Sequence, residues 1–86
     1  MIKVNLTEIN KIKDKNDFLA FMDWIIKDFQ NNRIEWENTD LLNYFEAIQS
    51  WIGDMEGFYQ NTGQTEPKEV DWRFIATILI AAKFYE

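Results

Sequence analysis

Apolar residues recur at helical spacing along three segments of this chain. The first segment covers residues 17–31 and has one apolar stripe. The members of that stripe follow at three- and four-residue steps: Phe18, Phe21, Met22, Ile25 and Phe29. Such a repeat places the side chains on one face of an α-helix. We therefore predict a helix over residues 17–31, with Asn16 as its N-cap.

The second segment predicts a longer helix over residues 40–61, capped by Asn38 or Thr39. Its main apolar stripe has six members: Leu41, Phe45, Ile48, Ile52, Met55 and Tyr59. Tyr44, Trp51 and Phe58 lie on one flank of that stripe. The flank aromatics fit either the edge of a core or exposed anchors for a partner.

The third segment predicts a helix over residues 72–85 that is apolar on nearly all sides. Asp71 is its predicted N-cap, and the preceding loop of residues 62–70 contains Gly63 and Pro67, which interrupt helices. A helix of this kind must be covered on more than one side. We expect it to be the centre of the fold or an element shared in an oligomer.

Residues 1–13 alternate apolar and polar positions and then place Ile9 and Ile12 three apart. A lone strand would have no partner here, so we interpret this segment as an arm lying on the helices. The prediction is a single all-α domain over residues 1–86, a small bundle of three principal helices with a central C-terminal helix.

The chain has few residues for catalysis, because it contains no histidine and no cysteine. The usual general base, the thiol nucleophile and the common zinc ligands are therefore missing. The single serine, Ser50, lies mid-helix without a base. Acidic pairs such as Asp54 and Glu56 are usually solvated surface. We predict that the protein is not an enzyme and holds no cofactor and no metal ion.

The net charge of −6 is unevenly distributed. Residues 1–16 carry four lysines against two acids, a net of +2, so residues 17–86 carry −8. Nucleic-acid binding needs a positive surface, and no apolar run is long enough to span a bilayer. We expect no nucleic-acid partner, no membrane association and a cytoplasmic location. The acidic body suits a basic protein partner, or serves solubility alone.

Six residues are candidates for partner binding. Gly53 and Gly57 lie inside the second predicted helix, where glycine is unfavourable, and we expect a bend or break within residues 53–57. The bend would form a corner with aromatic and acidic walls; the alternative is that the glycines only allow a close approach of another segment. Together with two tryptophans that the stripes leave unexplained, the candidates are Trp24, Trp51, Asp54, Glu56, Phe58 and Tyr59.

Two hypotheses for function follow from these patterns. The first is a protein-binding module, most concretely an immunity-type or regulatory protein whose acidic face binds a basic partner. The second is a self-associating structural protein, since the apolar residues Trp24, Trp51, Ile80 and Phe84 exceed what the stripes account for. The protein would be a monomer in the first case and a homodimer in the second.

Several segments also carry a resemblance. They are W-E-N at residues 36–38, L-x-x-Y-F-E-A-I-x-x-W-I-x-D at 41–54, G-F-Y-x-N-x-G at 57–63 and W-R-x-x-A-x-x-L-x-A-A-K-F-Y-E at 72–86. These segments resemble a family of small acidic bacterial proteins of unknown function. The resemblance implies no activity, cofactor or catalytic residue. In size and charge this type of protein is similar to immunity proteins that neutralise toxins.

Overall fold

The chain folds into four helices with no strand among residues 6–85, the part that this computed structural model describes. The helices are α1 (Leu6–Asn10), α2 (Lys15–Asn31), α3 (Leu41–Asn61) and α4 (Trp72–Phe84), with a 3-10 turn at Arg33–Glu35 between α2 and α3. The all-α prediction is confirmed. Of the predicted arm, residues 1–5 lie outside the described residues. Residues 6–10 form a helical turn instead of an extended segment, because Ile9 and the following Ile12 are buried.

An aspartate caps each of the three longer helices. The carboxylates of Asp14, Asp40 and Asp71 accept hydrogen bonds from the amides three residues on, at 2.9, 2.8 and 2.7 Å. The prediction that Asp71 is the N-cap of α4 is confirmed. The predicted caps Asn16 and Asn38 or Thr39 are wrong, because α2 begins earlier and α3 begins later than the apolar pattern indicated.

Helix α4 is the centre of the fold, as its sequence predicts, and α1, α2 and α3 all pack against it. One side of α4 contributes Ala76 and Ile80 to a cluster with residues of α2 and of the α1 segment. The buried members of this cluster are Ile9, Ile12, Phe21, Ile25, Ala76 and Ile80. Ala81 joins a second cluster with Trp51 and Tyr59 of α3.

The side of α4 that carries Arg73 is also occupied. The guanidinium group donates hydrogen bonds to the backbone carbonyls of Asn10 and Ile12, at 3.0 and 3.2 Å. These bonds hold the end of α1 and the turn after it against the start of α4. The short α1 is therefore attached by both apolar burial and charge-assisted hydrogen bonds.

The face that α3 turns toward α4 differs from its main apolar stripe. Trp51 is only 1% exposed and Ala47 is also buried, whereas Leu41, Phe45 and Ile52 are exposed. Ala47 on α3 and the fully buried Ala81 and Ala82 on α4 are small enough to let two helices approach closely. The large Trp51 ring then fills the space that remains. The flank aromatics thus form the packing face, and much of the stripe remains in solvent.

The predicted break in α3 is wrong, since the helix is continuous from Leu41 to Asn61. A straight helix of 21 residues is about 31 Å long. The molecule measures 31 × 28 × 18 Å, so α3 fits along its longest dimension without overhang. The close-approach alternative is not supported either, because a Cβ at Gly53 or Gly57 would meet no atom within 4 Å.

A partly buried polar cluster joins α2, the segment before α3, and α4. The Lys83 ammonium group donates to the Asp28 carboxylate at 2.6 Å, and these side chains are 7% and 11% exposed. The indole N–H of Trp36 donates to the same carboxylate oxygen at 2.9 Å, and the Asn32 amide donates to the other at 3.1 Å. We call Asp28, Asn32, Trp36 and Lys83 the polar cluster.

The residues next to Trp36 bind the carboxyl end of α4. The backbone N–H groups of Glu37 and Asn38 donate to the carbonyl of Lys83, at 3.0 and 3.4 Å. The Asn38 side-chain amide donates to the carbonyls of Ala82 and Tyr85, at 2.9 and 2.6 Å. Glu37 and Asn38 therefore satisfy carbonyls that the last turn of a helix leaves unpaired.

Replacing the two helical glycines should stabilise the protein. Neither has a positive φ angle, so alanine fits, and we expect Gly53→Ala and Gly57→Ala each to raise the free energy of unfolding by about 0.5–1 kcal/mol. Urea unfolding measures the effect. Gly63→Ala is the control and should destabilise, because Gly63 has φ +69°. A loss of stability in the two helical variants would contradict a straight α3.

Removing the charge of Asp28 should be costly. Asp28→Asn leaves the buried Lys83 ammonium without a counter-ion, and we expect a loss of about 3–5 kcal/mol. Asp23→Asn is the matched control on the same helix, since Asp23 pairs with Lys27 in solvent; its loss should not exceed about 0.5 kcal/mol. Adding Lys83→Met to Asp28→Asn should recover part of the stability. Equal losses at Asp23 and Asp28 would show that the buried pair is unimportant.

Acid should weaken the same interaction. Burial by itself would raise the pKa of Asp28, but hydrogen bonds from Lys83, Trp36 and Asn32 and the charge of Lys83 outweigh it, so the pKa lies below the ordinary 3.8. The contribution of Asp28 is therefore complete above about pH 4 and is lost as the pH falls through the lowered pKa. In urea titrations, the stability difference between the native protein and Asp28→Asn should narrow below pH 4. A constant difference would contradict the lowered pKa.

Candidate protein-interaction surface

The described residues hold no arrangement that indicates a metal site. Among residues 6–85, no group of three or more histidine, cysteine, aspartate or glutamate side chains is placed to bind an ion. Ser50 is exposed on α3.

The structure separates the six candidate residues. Trp51, Phe58 and Tyr59 form an aromatic group on α3, with ring centroids 5.0–6.3 Å apart. Trp51 and Tyr59 are buried, and Phe58 is half-buried. These rings pack between α3 and α4 and stabilise the fold; Phe58 and Tyr59 also line a cavity of about 170 Å³ with Asp71 and Thr77.

Trp24 lies apart from that aromatic group. It is half-buried on α2, with its ring 5.8 Å from the ring of Phe21, and packs against the cluster that contains Ile9 and Ile12. Its position outside the apolar stripe of α2 is thus explained by core contacts at the edge of the helix. It leaves only part of its surface for a partner.

The two acidic candidates, Asp54 and Glu56, are both exposed on α3. The Tyr85 hydroxyl donates a hydrogen bond to the Asp54 carboxylate. That bond, together with partial desolvation, raises the pKa of the Tyr85 hydroxyl. Asp54 therefore links α3 to the residue that follows α4, while Glu56 projects from the helix.

The outer face of α3 is the most apolar exposed surface of a single helix. Leu41, Phe45 and Ile52 are 67%, 57% and 40% exposed, and Ile48 between them is half-buried. At 100° per residue these four side chains fall within an arc of about 60°. We call Leu41, Phe45, Ile48 and Ile52 the α3 stripe. Its residues were visible in the sequence pattern, but that pattern could not show that they lie outside the core.

The segment that contains the α3 stripe carries charge of one sign. Residues 34–67 contain seven acidic residues and no lysine or arginine. On α3 itself, the exposed Glu46 and Glu56 lie outside the stripe. This part of the surface combines apolar contact area with a negative potential that no nearby basic residue of the same segment offsets.

A second apolar feature is a groove of about 490 Å³ between α2, Trp36 and the start of α3. Its lining is Met22, Ile25, Ile26, Phe29, Gln30, Arg33, Trp36, Tyr44 and Leu79. The polar groups of its aromatic residues are already engaged: the Trp36 indole donates to Asp28, and the Tyr44 hydroxyl donates to the carbonyl of Leu79 at 2.7 Å. Burial raises the pKa of Tyr44 to about 12. The groove therefore offers apolar contact with little chemical selectivity.

The guanidinium group of Arg33 at this groove stacks on the ring of Phe29, 4.4 Å from its centroid. Such stacking orders an arginine side chain without neutralising it. A single stacked arginine selects weakly among anions. The groove therefore does not indicate one class of ligand.

The comparisons with known proteins give a family but no characterised relative. No curated protein and no solved structure matches the chain. Among the described residues, no helix combines the length and apolar character needed to cross a membrane. A family of unknown function, DUF7660, matches residues 14–86, which include α2, α3, α4 and the polar cluster. The chain belongs to this family.

Proposed function

We propose that this protein is a non-catalytic binding module whose acidic surface binds a basic protein partner. The observation that carries the proposal is the run of residues 34–67, with seven acids and no base, folded so that α3 presents exposed apolar residues in the same region. Opposite charge on a partner would steer association and fix its orientation.

The most concrete form of this proposal is an immunity-type or regulatory protein of the bacterial cytoplasm. A small acidic domain is similar in size and charge to immunity proteins, which neutralise toxins by binding them. The same negative surface disfavours nucleic acid and anionic membranes, since both would be repelled. The partner class is therefore a protein with excess lysine and arginine.

Self-association is the alternative function, but the residues that suggested it are not free at the surface. Two of the residues that motivated it, Trp51 and Ile80, are buried within one chain, and Trp24 and Phe84 are half-buried. What favours a homodimer now is the α3 stripe. The acidic segment around the α3 stripe disfavours a homodimer, because a symmetric contact places like charges near each other.

Two measurements on the intact protein test the proposal. The first is sedimentation over a wide concentration range, where we expect a monomer; a dimer would favour the alternative. The second is affinity capture from the native host at low salt, followed by purification of the recovered protein. We expect that protein to be basic and its Kd to rise as salt increases from about 50 to 500 mM, because added ions screen surface charges. An acidic partner or a salt-independent Kd would contradict the proposal.

Charge variants locate the interaction. Glu46→Gln with Glu56→Gln should raise the Kd for the purified partner about three- to tenfold, the effect of two exposed ion pairs. Asp23→Asn with Glu69→Gln removes two charges outside residues 34–67 and is the control; its Kd should stay within about twofold of the native value. If both double variants raised the Kd equally, only the net charge of the protein would affect binding.

A further inference from the structure

Most of the α3 stripe takes no part in the packing of α3 against α4. The contact of α3 with α4 is made by Ala47 and Trp51 on the neighbouring arc of the helix and, nearer its carboxyl end, by Tyr59. Leu41, Phe45 and Ile52 keep 40–67% of their surface in solvent. A helix with two apolar arcs, one packed and one exposed, has a second surface suited to burial against another molecule.

The shape of the stripe indicates what covers it. Its side chains follow at steps of four, three and four residues and extend about 16 Å along the helix axis. The stripe lies on the outer surface of a continuous helix, so it does not enclose a small molecule. The apolar face of a second helix, with anchors at the same spacing, matches a straight row of this kind.

Charge decides between possible helices. A second copy of this chain would place a second acidic segment of residues 34–67, with its Glu56 beside the stripe, next to the first. Like charges across an interface are unfavourable. A helix with lysine and arginine beside its apolar face would instead pair with these carboxylates.

We propose that the α3 stripe is the docking site for a basic amphipathic helix of the partner. This inference rests on the proposed function and adds the place and the form of the contact. Apolar anchors of the partner helix lie against Leu41, Phe45 and Ile52, while its basic residues face Glu56, which lies beside the carboxyl end of the stripe.

Three synthetic peptides of about 18 residues test the docking, since an amphipathic helix of this length covers the stripe. The first has leucines at three- and four-residue steps and lysines elsewhere. The second has the same composition in an order that destroys the apolar face. The third keeps the apolar face and replaces the lysines by glutamates. Calorimetry with the native protein should show the first binding at least about tenfold more tightly than either of the others.

Paired variants locate the peptide. Phe45→Ser with Ile52→Ser removes two stripe residues seven positions apart and should weaken binding of the first peptide about tenfold or more. Leu19→Ser with Ile26→Ser is the matched control on α2, also seven apart and 56% and 50% exposed; its Kd should stay within about twofold of the native value. Circular dichroism verifies that both variants are folded, and amide shifts in NMR spectra should be largest on α3.

Each contrary outcome has a separate meaning. If the first and second peptides bind equally, charge alone acts; the helix-docking inference then fails while the basic-partner function stands. If the third peptide binds best, both fail. Equal losses in the two double variants, or amide shifts confined to α2, would also overturn the α3 stripe as the docking site.

Discussion

The ion pair of Asp28 and Lys83 is the interaction on which the arrangement of the longer helices depends. It lies beneath the surface and connects the end of α2 to the end of α4. The Trp36 indole shares the Asp28 carboxylate, so the same group also positions the connecting segment that starts α3. Two buried charges are tolerable only where good geometry and further hydrogen bonds replace lost hydration, and here Asn32 and Trp36 supply those bonds.

This arrangement also explains how a mostly apolar helix can end inside a small protein. The carbonyls at the end of α4 accept hydrogen bonds from the backbone of Glu37 and Asn38 and from the Asn38 side chain. Without those donors, the last turn would leave buried acceptors unpaired. Lys83 also stabilises the end of α4, because it places a positive charge at the negative end of the helix dipole. W-E-N and A-A-K-F-Y-E, two segments far apart in sequence, are thus one structural unit.

The sequence predicted the helices and the central place of α4 well, because both depend on local apolar periodicity and on Asp71. The sequence did not predict which face of a helix packs against which neighbouring helix. Periodicity showed the α3 stripe but could not show that Ala47 and Trp51 make the close contact. The bend was predicted from two glycines, yet glycine in a helix is only a small cost that α3 tolerates. The polar cluster was missed because Lys83 and Asp28, 55 residues apart, give no local signal. Of the candidate site, only Asp54 and Glu56 are fully exposed.

The order of the helices along the chain has a consequence for how the protein is made. Helices α1, α2 and α3 all precede α4, and each packs against α4. During synthesis from the amino end, α2 and α3 therefore emerge before the helix they pack on, with Phe21, Ile25 and Trp51 still in contact with water or chaperones. Native contacts such as Asp28 with Lys83 span most of the chain and must form late. The nascent chain thus carries exposed apolar faces until α4 has left the ribosome, so folding is expected to occur in one cooperative step only after α4 emerges.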